Sequence, residues 1–93
     1  MPVAIAIHHP RPEHRDEWLE IMRQAGQASA NLPGLIGPIA GYREADGARL
    51  VGVSHWESMD ALRAGIAGIK QQSQQADHAW GRQPTDVLVL SEL

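Results

Sequence analysis

The centre of the chain carries the pattern that decides the fold, because a turn, a strand and the start of a helix follow one another directly. Residues 46–62 read DGARLVGVSHWESMDAL. The Asp-Gly pair that opens this stretch is a strong hairpin signal. Val51 and Val53 favour a β-strand after it. Ser58 is a suitable N-cap, and an acidic first turn follows it. The stretch therefore predicts a hairpin whose second strand leads straight into a helix.

Outward from this centre, the remaining segments complete an order of strand, helix, two strands, helix and strand. Alternating β-branched residues predict a strand at 3–9, and apolar residues at three- and four-residue spacing predict a helix after Pro12. Residues 35–44, 49–57 and 87–90 are expected to be strands. The second helix should split around residues 71–75, because two glycines weaken it. The order βαββαβ predicts an α+β, ferredoxin-like protomer whose antiparallel sheet carries both helices on one face.

The predicted sheet has two apolar faces, yet the helices of this fold cover only one. On the first strand, small alanines and His8 alternate with larger β-branched residues, and the third strand alternates in the same way. The uncovered face then needs a second sheet, and another copy of the chain is its simplest source. The pattern predicts a homodimer. The residues concerned are Val3, Ile5, Ile7, Val51 and Val53.

Length and composition limit the classes of protein to consider. The chain has 93 residues, of which 43% are hydrophobic and 20% charged, and it has no cysteine. We expect one globular domain over residues 1–93, without disulfides or thiolate sites. A net charge of −3 argues against binding of nucleic acid. The apolar runs are too short for a membrane span or a secretory signal, so a cytoplasmic protein is expected.

Three patches together resemble one known family. Trp56-Glu57-Ser58 ends a strand before an acidic helix start, residues 11–18 lead into the first helix, and residues 31–35 form a Pro-Gly-aliphatic junction. In this order and spacing they resemble the antibiotic biosynthesis monooxygenase family. The resemblance implies a homodimer whose two sheets close into an α+β barrel. It also implies a monooxygenase, independent of any cofactor, for a small aromatic, phenolic or quinol-type compound.

This chain lacks the residues that other activities of that superfamily require. Haem-degrading members use an asparagine, a tryptophan and a histidine at positions that correspond to Ala6, Gly65 and Gln75. Haem degradation is therefore not expected. Relatives that act as quinol oxygenases or isomerases usually carry histidines in the second helix, where this chain has Ile66 and Lys70.

Histidine is the natural candidate for the base that ionises a phenol, because its pKa lies near neutrality. Among five histidines, His8 shares a strand face with small alanines that leave room beneath the helices. His55 on the third strand is the second candidate, and it could line either that pocket or the barrel interior. The candidate catalytic residues are thus His8 and His55.

Candidate substrate contacts lie around the second helix, with Tyr42 near the hairpin as a possible donor to a substrate carbonyl. Gly65 and Gly68 either allow close packing of helix on sheet or leave a void that a ligand fills. The second alternative predicts an apolar pocket beside His8. The candidate contacts are Tyr42, Trp56, Leu62 and Ile66. No metal-ligand spacing and no phosphate-binding loop occurs, so neither a metal nor a cofactor is expected.

Two further functions stay open beside the monooxygenase. The same fold could serve as a small-ligand-binding dimer without catalysis, or as a structural dimer without a pocket. A pocket of the size of a drug-like ligand, with a histidine of shifted pKa, would favour catalysis.

Overall fold

The computed structural model describes residues 1–93 and has the predicted order of elements. A short 3-10 turn at Pro12–His14 precedes the first helix. The elements are β1 (Val3–His8), α1 (Arg15–Ala28), β2 (Leu35–Arg43), β3 (Leu50–Trp56), α2 (Met59–Trp80) and β4 (Asp86–Leu90). The ferredoxin-like α+β fold is confirmed.

The four strands form one antiparallel sheet in the order β2-β3-β1-β4. β1 is central, and its Ile5 lies between Val53 of β3 and Leu88 of β4. β2 lies at an edge, and its register with β3 shifts between Ile36 and Ala40. Gly37 lies within this irregularity at φ +70°, a conformation that favours glycine.

The second helix is continuous over 22 residues, so the predicted split around residues 71–75 is wrong. Its first turn is capped as expected, because the Ser58 side chain accepts a hydrogen bond from the backbone N–H of Ala61. At Gly65 the absence of a side chain makes room for Trp56, since an added Cβ would lie 2.2 Å from that indole ring. Tertiary packing of this kind outweighs the weak helix propensity of glycine.

The helices cover one face of the sheet and bury two small apolar clusters against it. One cluster contains Ala4, Trp56 and Leu62. The other contains Trp18, Leu50 and Ala76. The opposite face carries half-buried side chains with no helix over them. Its apolar residues include Val3, Ile5, Ile7, Val51 and Val53, as predicted.

Neither helix combines the length and the apolar character needed to cross a membrane.

Candidate active site

An apolar cavity of about 60 Å³ lies between the helices and the sheet. Its floor comes from helix-facing residues of β1, where Ala4 and Ala6 leave space, and from Gly52 of β3. Apolar residues of both helices form most of the rest. They include Trp18, Ile21, Met22, Ile66 and Ile69. The small alanines of β1 thus create room beside His8, as the sequence predicts.

His8 is the titratable residue of this cavity, and it lies at the end of β1. Only 5% of its surface is exposed. Its Nδ1 lies 2.9 Å from the Thr85 hydroxyl oxygen, just before β4. That hydroxyl donates to Asp77 of α2 over 2.8 Å, and the backbone N–H of Thr85 donates to the same carboxylate over 2.7 Å. Because Nδ1 is engaged in this way, Nε2 is the ring nitrogen left for a ligand.

Burial determines the charge of His8. Removal from water penalises the imidazolium and lowers the pKa of His8 from 6.5 to about 4. The carboxylate of Asp77 opposes this change, and the neighbouring His9 adds to it. His8 is therefore neutral at pH 7, which gives the cavity a proton acceptor.

Trp18 supplies a hydrogen-bond donor beside the acceptor of His8. It is 1% exposed, and its ring lies 4.6 Å from the His8 ring, centroid to centroid, at a tilt of 30°. Its indole Nε1 is buried and has no hydrogen-bond partner. Trp18 is the one cavity-lining residue with such an unpaired side-chain donor. An unpaired buried donor is costly, so this N–H suits an oxygen acceptor on a ligand.

An open cleft of about 600 Å³ adjoins the cavity on the side of β2. Met22, Gly26, Ile39 and Gly52 line both spaces. Met22 extends toward β2, because its Cε would lie 3.8 Å from a Cβ added at Gly41. The flexible Met22 is therefore part of the wall that the cavity and the cleft share.

The substrate contacts predicted from the sequence lie in different places in the structure. Ile66 lines the cavity with His8. Tyr42 is 60% exposed and borders the outer cleft. Trp56 and Leu62 are fully packed in the core and line neither space. At Gly65 the structure therefore shows close packing of the helix on the sheet, the first of the two alternatives.

His55 lies on the other side of the sheet from His8. It pairs with Val3 in the β1–β3 register, and its side chain is exposed on the face that the helices leave uncovered. His8 and His55 therefore do not share a pocket within one chain.

The remaining polar groups do not form a metal centre. His9 points away from His8, and its Nε2 lies 2.8 Å from a carboxylate oxygen of Asp86. No group of three or more histidine or acidic side chains is arranged to hold a metal ion.

Asp77 and Thr85 were not among the residues that the sequence suggests. They are 69 and 77 residues from His8 in the chain, and neither belongs to a motif. The antiparallel pairing of β1 with β4, which brings Ile7 opposite Asp86, places Thr85 beside His8. Asp77 of α2 joins them through its hydrogen bonds to Thr85.

The fold is shared with solved structures over nearly their whole length. A protein from Nitrosomonas europaea, provisionally named an antibiotic biosynthesis monooxygenase, is 17% identical with a TM-score of 0.83, covering 100% of this chain and 99% of the other. Rv0793 from Mycobacterium tuberculosis is 26% identical with a TM-score of 0.84, covering 100% and 96%. SnoaB from Streptomyces nogalater, described as a cofactor-independent oxygenase, is 18% identical with a TM-score of 0.75, covering 98% and 92%.

The family is assigned by sequence. No curated protein matches the chain. The sequence profile described as "Antibiotic biosynthesis monooxygenase" matches residues 1–64, which span β1 to the first turns of α2. This range includes the resembling patches that end in Trp56-Glu57-Ser58. The chain therefore belongs to the antibiotic biosynthesis monooxygenase family.

Proposed function

We propose that the protein is a cofactor-independent monooxygenase of a small phenolic or quinol-type compound, with His8 as the base. The observation that carries the proposal is a neutral, buried imidazole whose Nε2 is free beside an apolar cavity. Membership of the family supports the monooxygenase class. The choice of substrate rests on the chemistry of the cavity.

The reaction needs only the substrate, oxygen and a base. His8 Nε2 takes the hydroxyl proton, and the electron-rich phenolate transfers one electron to O2. The radical pair combines at a ring carbon to give a peroxide anion, and His8 returns its proton to the terminal oxygen to form a hydroperoxide. Cleavage of the O–O bond with loss of the ring hydrogen then yields a quinone and one water. One oxygen atom is retained in the product, and the other leaves as water.

The low pKa of His8 restricts the substrate. An ordinary phenol has a pKa near that of tyrosine, about 10, so proton transfer to a base of pKa about 4 is uphill by roughly 8 kcal/mol. A carbonyl conjugated with the hydroxyl lowers the pKa of that hydroxyl, and so reduces the difference from the pKa of His8. A hydrogen bond from Trp18 Nε1 to the oxyanion reduces it further. The site therefore favours phenols or enols that carry such a carbonyl.

The substrate extends beyond the cavity beside His8. Pockets for small molecules usually measure about 300–1,000 Å³, whereas this cavity measures about 60 Å³. Rotation of Met22 would join it to the outer cleft, where Tyr42 lies. We assign substrate contacts to Ile66 in the cavity and Tyr42 in the cleft, whereas Trp56 and Leu62 support the cavity through packing.

We also propose that the protein acts as a homodimer closed through the uncovered sheet faces. The support is the apolar character of this face, on which Leu88 and Leu90 are 48% and 47% exposed. A monomer rarely leaves a large continuous apolar patch in water. His55 would then lie at or near the interface between the two sheets.

A second candidate function is a small-ligand-binding or structural dimer without catalysis. The small volume of the cavity favours the structural dimer, because little space for a ligand is present. The two functions differ in whether oxygen is consumed.

The test measures oxygen uptake by the purified, chelator-treated protein with a panel of small phenols and quinols, which includes phenols and enols that carry a conjugated carbonyl. Uptake above the rate without protein, with one atom from 18O2 in the product and no effect of added metal or flavin, is the expected result. Uptake no faster than the rate without protein for every compound would contradict the monooxygenase and favour the non-catalytic dimer.

A further inference from the structure

The hydrogen bonds around His8 determine which atom is the donor and which is the acceptor along a chain of three side chains, those of His8, Thr85 and Asp77. The Thr85 backbone N–H and hydroxyl both point to the Asp77 carboxylate, at 2.7 Å and 2.8 Å. A threonine hydroxyl has one proton, so its oxygen can only accept from His8. At 2.9 Å the donor must therefore be the Nδ1–H of the imidazole.

From this geometry we propose that Asp77 and Thr85 are positioning residues, which hold His8 in its Nδ1–H tautomer so that Nε2 offers a lone pair to the cavity. A neutral imidazole carries one proton, and the hydrogen bond at one nitrogen decides the state of the other. With Nδ1 protonated, Nε2 acts as acceptor only. The site then takes a ligand through a hydroxyl donor and gives no hydrogen bond to a carboxylate or carbonyl at this nitrogen.

The inference deepens the proposed function, on which the role of Nε2 as a base rests, but the tautomer itself does not depend on any activity. The carboxylate of Asp77 also has a structural task, because it accepts from the Thr85 backbone and holds the loop that enters β4. The test must therefore report on the proton of His8 and not on stability alone.

Replacement of Asp77 by asparagine should change the tautomer of His8. The amide oxygen of Asn must stay opposite the Thr85 backbone N–H, so the NH2 group comes to face the Thr85 hydroxyl. That hydroxyl would then accept from the amide and donate to His8 Nδ1. Asp77→Asn should therefore invert the tautomer, with the proton on Nε2, while shape and most contacts are conserved.

The measurement is 15N NMR of the imidazole nitrogens at pH 7 in the full-length protein, with His8 assigned through the His8→Gln variant. We expect an Nδ1–H signature in the parent chain and an Nε2–H signature in Asp77→Asn. Thr85→Val should lose the Nδ1–H signature, because valine has no acceptor, and Thr85→Ser should keep it. Asp86→Asn is the matched control, since Asp86 contacts His9 and should leave His8 unchanged.

Several results would overturn the proposal. An Nε2–H tautomer in the parent chain would do so, as would an unchanged Nδ1–H signature in Asp77→Asn or in Thr85→Val. Inversion by Asp86→Asn would show that the effect is not specific to Asp77. If Asp77→Asn does not fold, Thr85→Val and Thr85→Ser decide alone. A confirmed Nδ1–H tautomer without oxygen uptake would reject the monooxygenase and keep the positioning roles. Oxygen uptake without the Nδ1–H tautomer would keep the monooxygenase and reject the positioning roles.

Discussion

The Nδ1 of His8 lies 2.9 Å from the hydroxyl oxygen of Thr85, although 77 positions separate the two residues in the chain. The contact joins the end of β1 to the entry of β4, and through Thr85 it joins both to α2. β1, β4 and α2 therefore surround His8 and the side chains that are hydrogen-bonded to it. A change in any of these elements would alter the orientation of the His8 ring.

Replacement of His8 by alanine should lower turnover about 10²–10⁴-fold, the usual contribution of a general base. Initial rates of oxygen uptake with an active compound of the panel measure this effect. The exposed His78 provides the matched control, and His78→Ala should retain the parent rate. A loss in His55→Ala as large as that in His8→Ala would contradict the assignment, because His55 lies on the opposite sheet face.

Removal of the indole N–H by Trp18→Phe should lower turnover about 10²-fold or more, as for other single oxyanion donors. The aromatic ring is largely conserved, so substrate affinity should change less than turnover. Thermal melting of both proteins controls for packing, because Trp18 is also part of the core. An unchanged turnover would exclude Trp18 Nε1 as the donor to the oxyanion.

Stability should fall in acid in a way that depends on His8. Its folded-state pKa of about 4 lies below the usual 6.5, so between these values the unfolded chain binds more protons than the folded one. The contribution is complete above pH 6.5 and is lost as the pH falls toward 4. From pH 7 to pH 5 the loss is on the order of 2 kcal/mol.

Urea unfolding at pH 7 and pH 5, at one protein concentration, measures this loss. The His8→Gln variant should lose less stability between the two pH values than the parent, by about the same 2 kcal/mol. Equal losses in the two proteins would show that His8 titrates near its ordinary pKa.

Two glycines of α2 should respond to alanine in opposite ways. A Cβ at Gly65 would lie 2.2 Å from the Trp56 ring, so Gly65→Ala should destabilise the protein by about 1–3 kcal/mol. Gly68 is exposed, with nothing within 4 Å of an added Cβ, so Gly68→Ala should stabilise it by up to about 1 kcal/mol. Denaturant midpoints of the two variants measure both effects. A stabilising Gly65→Ala would contradict the packing of Trp56 on α2.

The same pair of glycines shows how far sequence reasoning reaches. Period-two and period-3.6 patterns predict the strands and helices, because each reports a local preference that the fold keeps. The continuity of α2 could not be predicted, because packing of the helix on the rest of the fold outweighs local propensity, and at Gly65 this packing involves Trp56 of β3. His8 could be proposed from its strand parity, whereas Thr85 required the β1–β4 register and Asp77 required the position of α2 beside Thr85.

The final prediction concerns the uncovered face of the sheet. Its central side chains, among them Ile5 and Val53, lie opposite each other in the β1–β3 register and are only half-buried in a single chain. Complete burial of such a side chain contributes roughly 1.5–3 kcal/mol. Five of them together contribute an amount comparable to the whole stability of a small domain, before the cost of association.

Folding and dimerisation should therefore be coupled, so the midpoint of thermal unfolding should rise with protein concentration. Ile5→Asp and Val53→Asp should each give an unfolded or aggregated chain, because a carboxylate would be buried between two sheets. Ala67→Asp, at an exposed position of α2, controls for the added charge and should remain a folded dimer. Analytical ultracentrifugation distinguishes the outcomes. A soluble, folded monomer of the parent chain at micromolar concentration, with a midpoint independent of concentration, would contradict the dimer and leave the protomer fold unaffected.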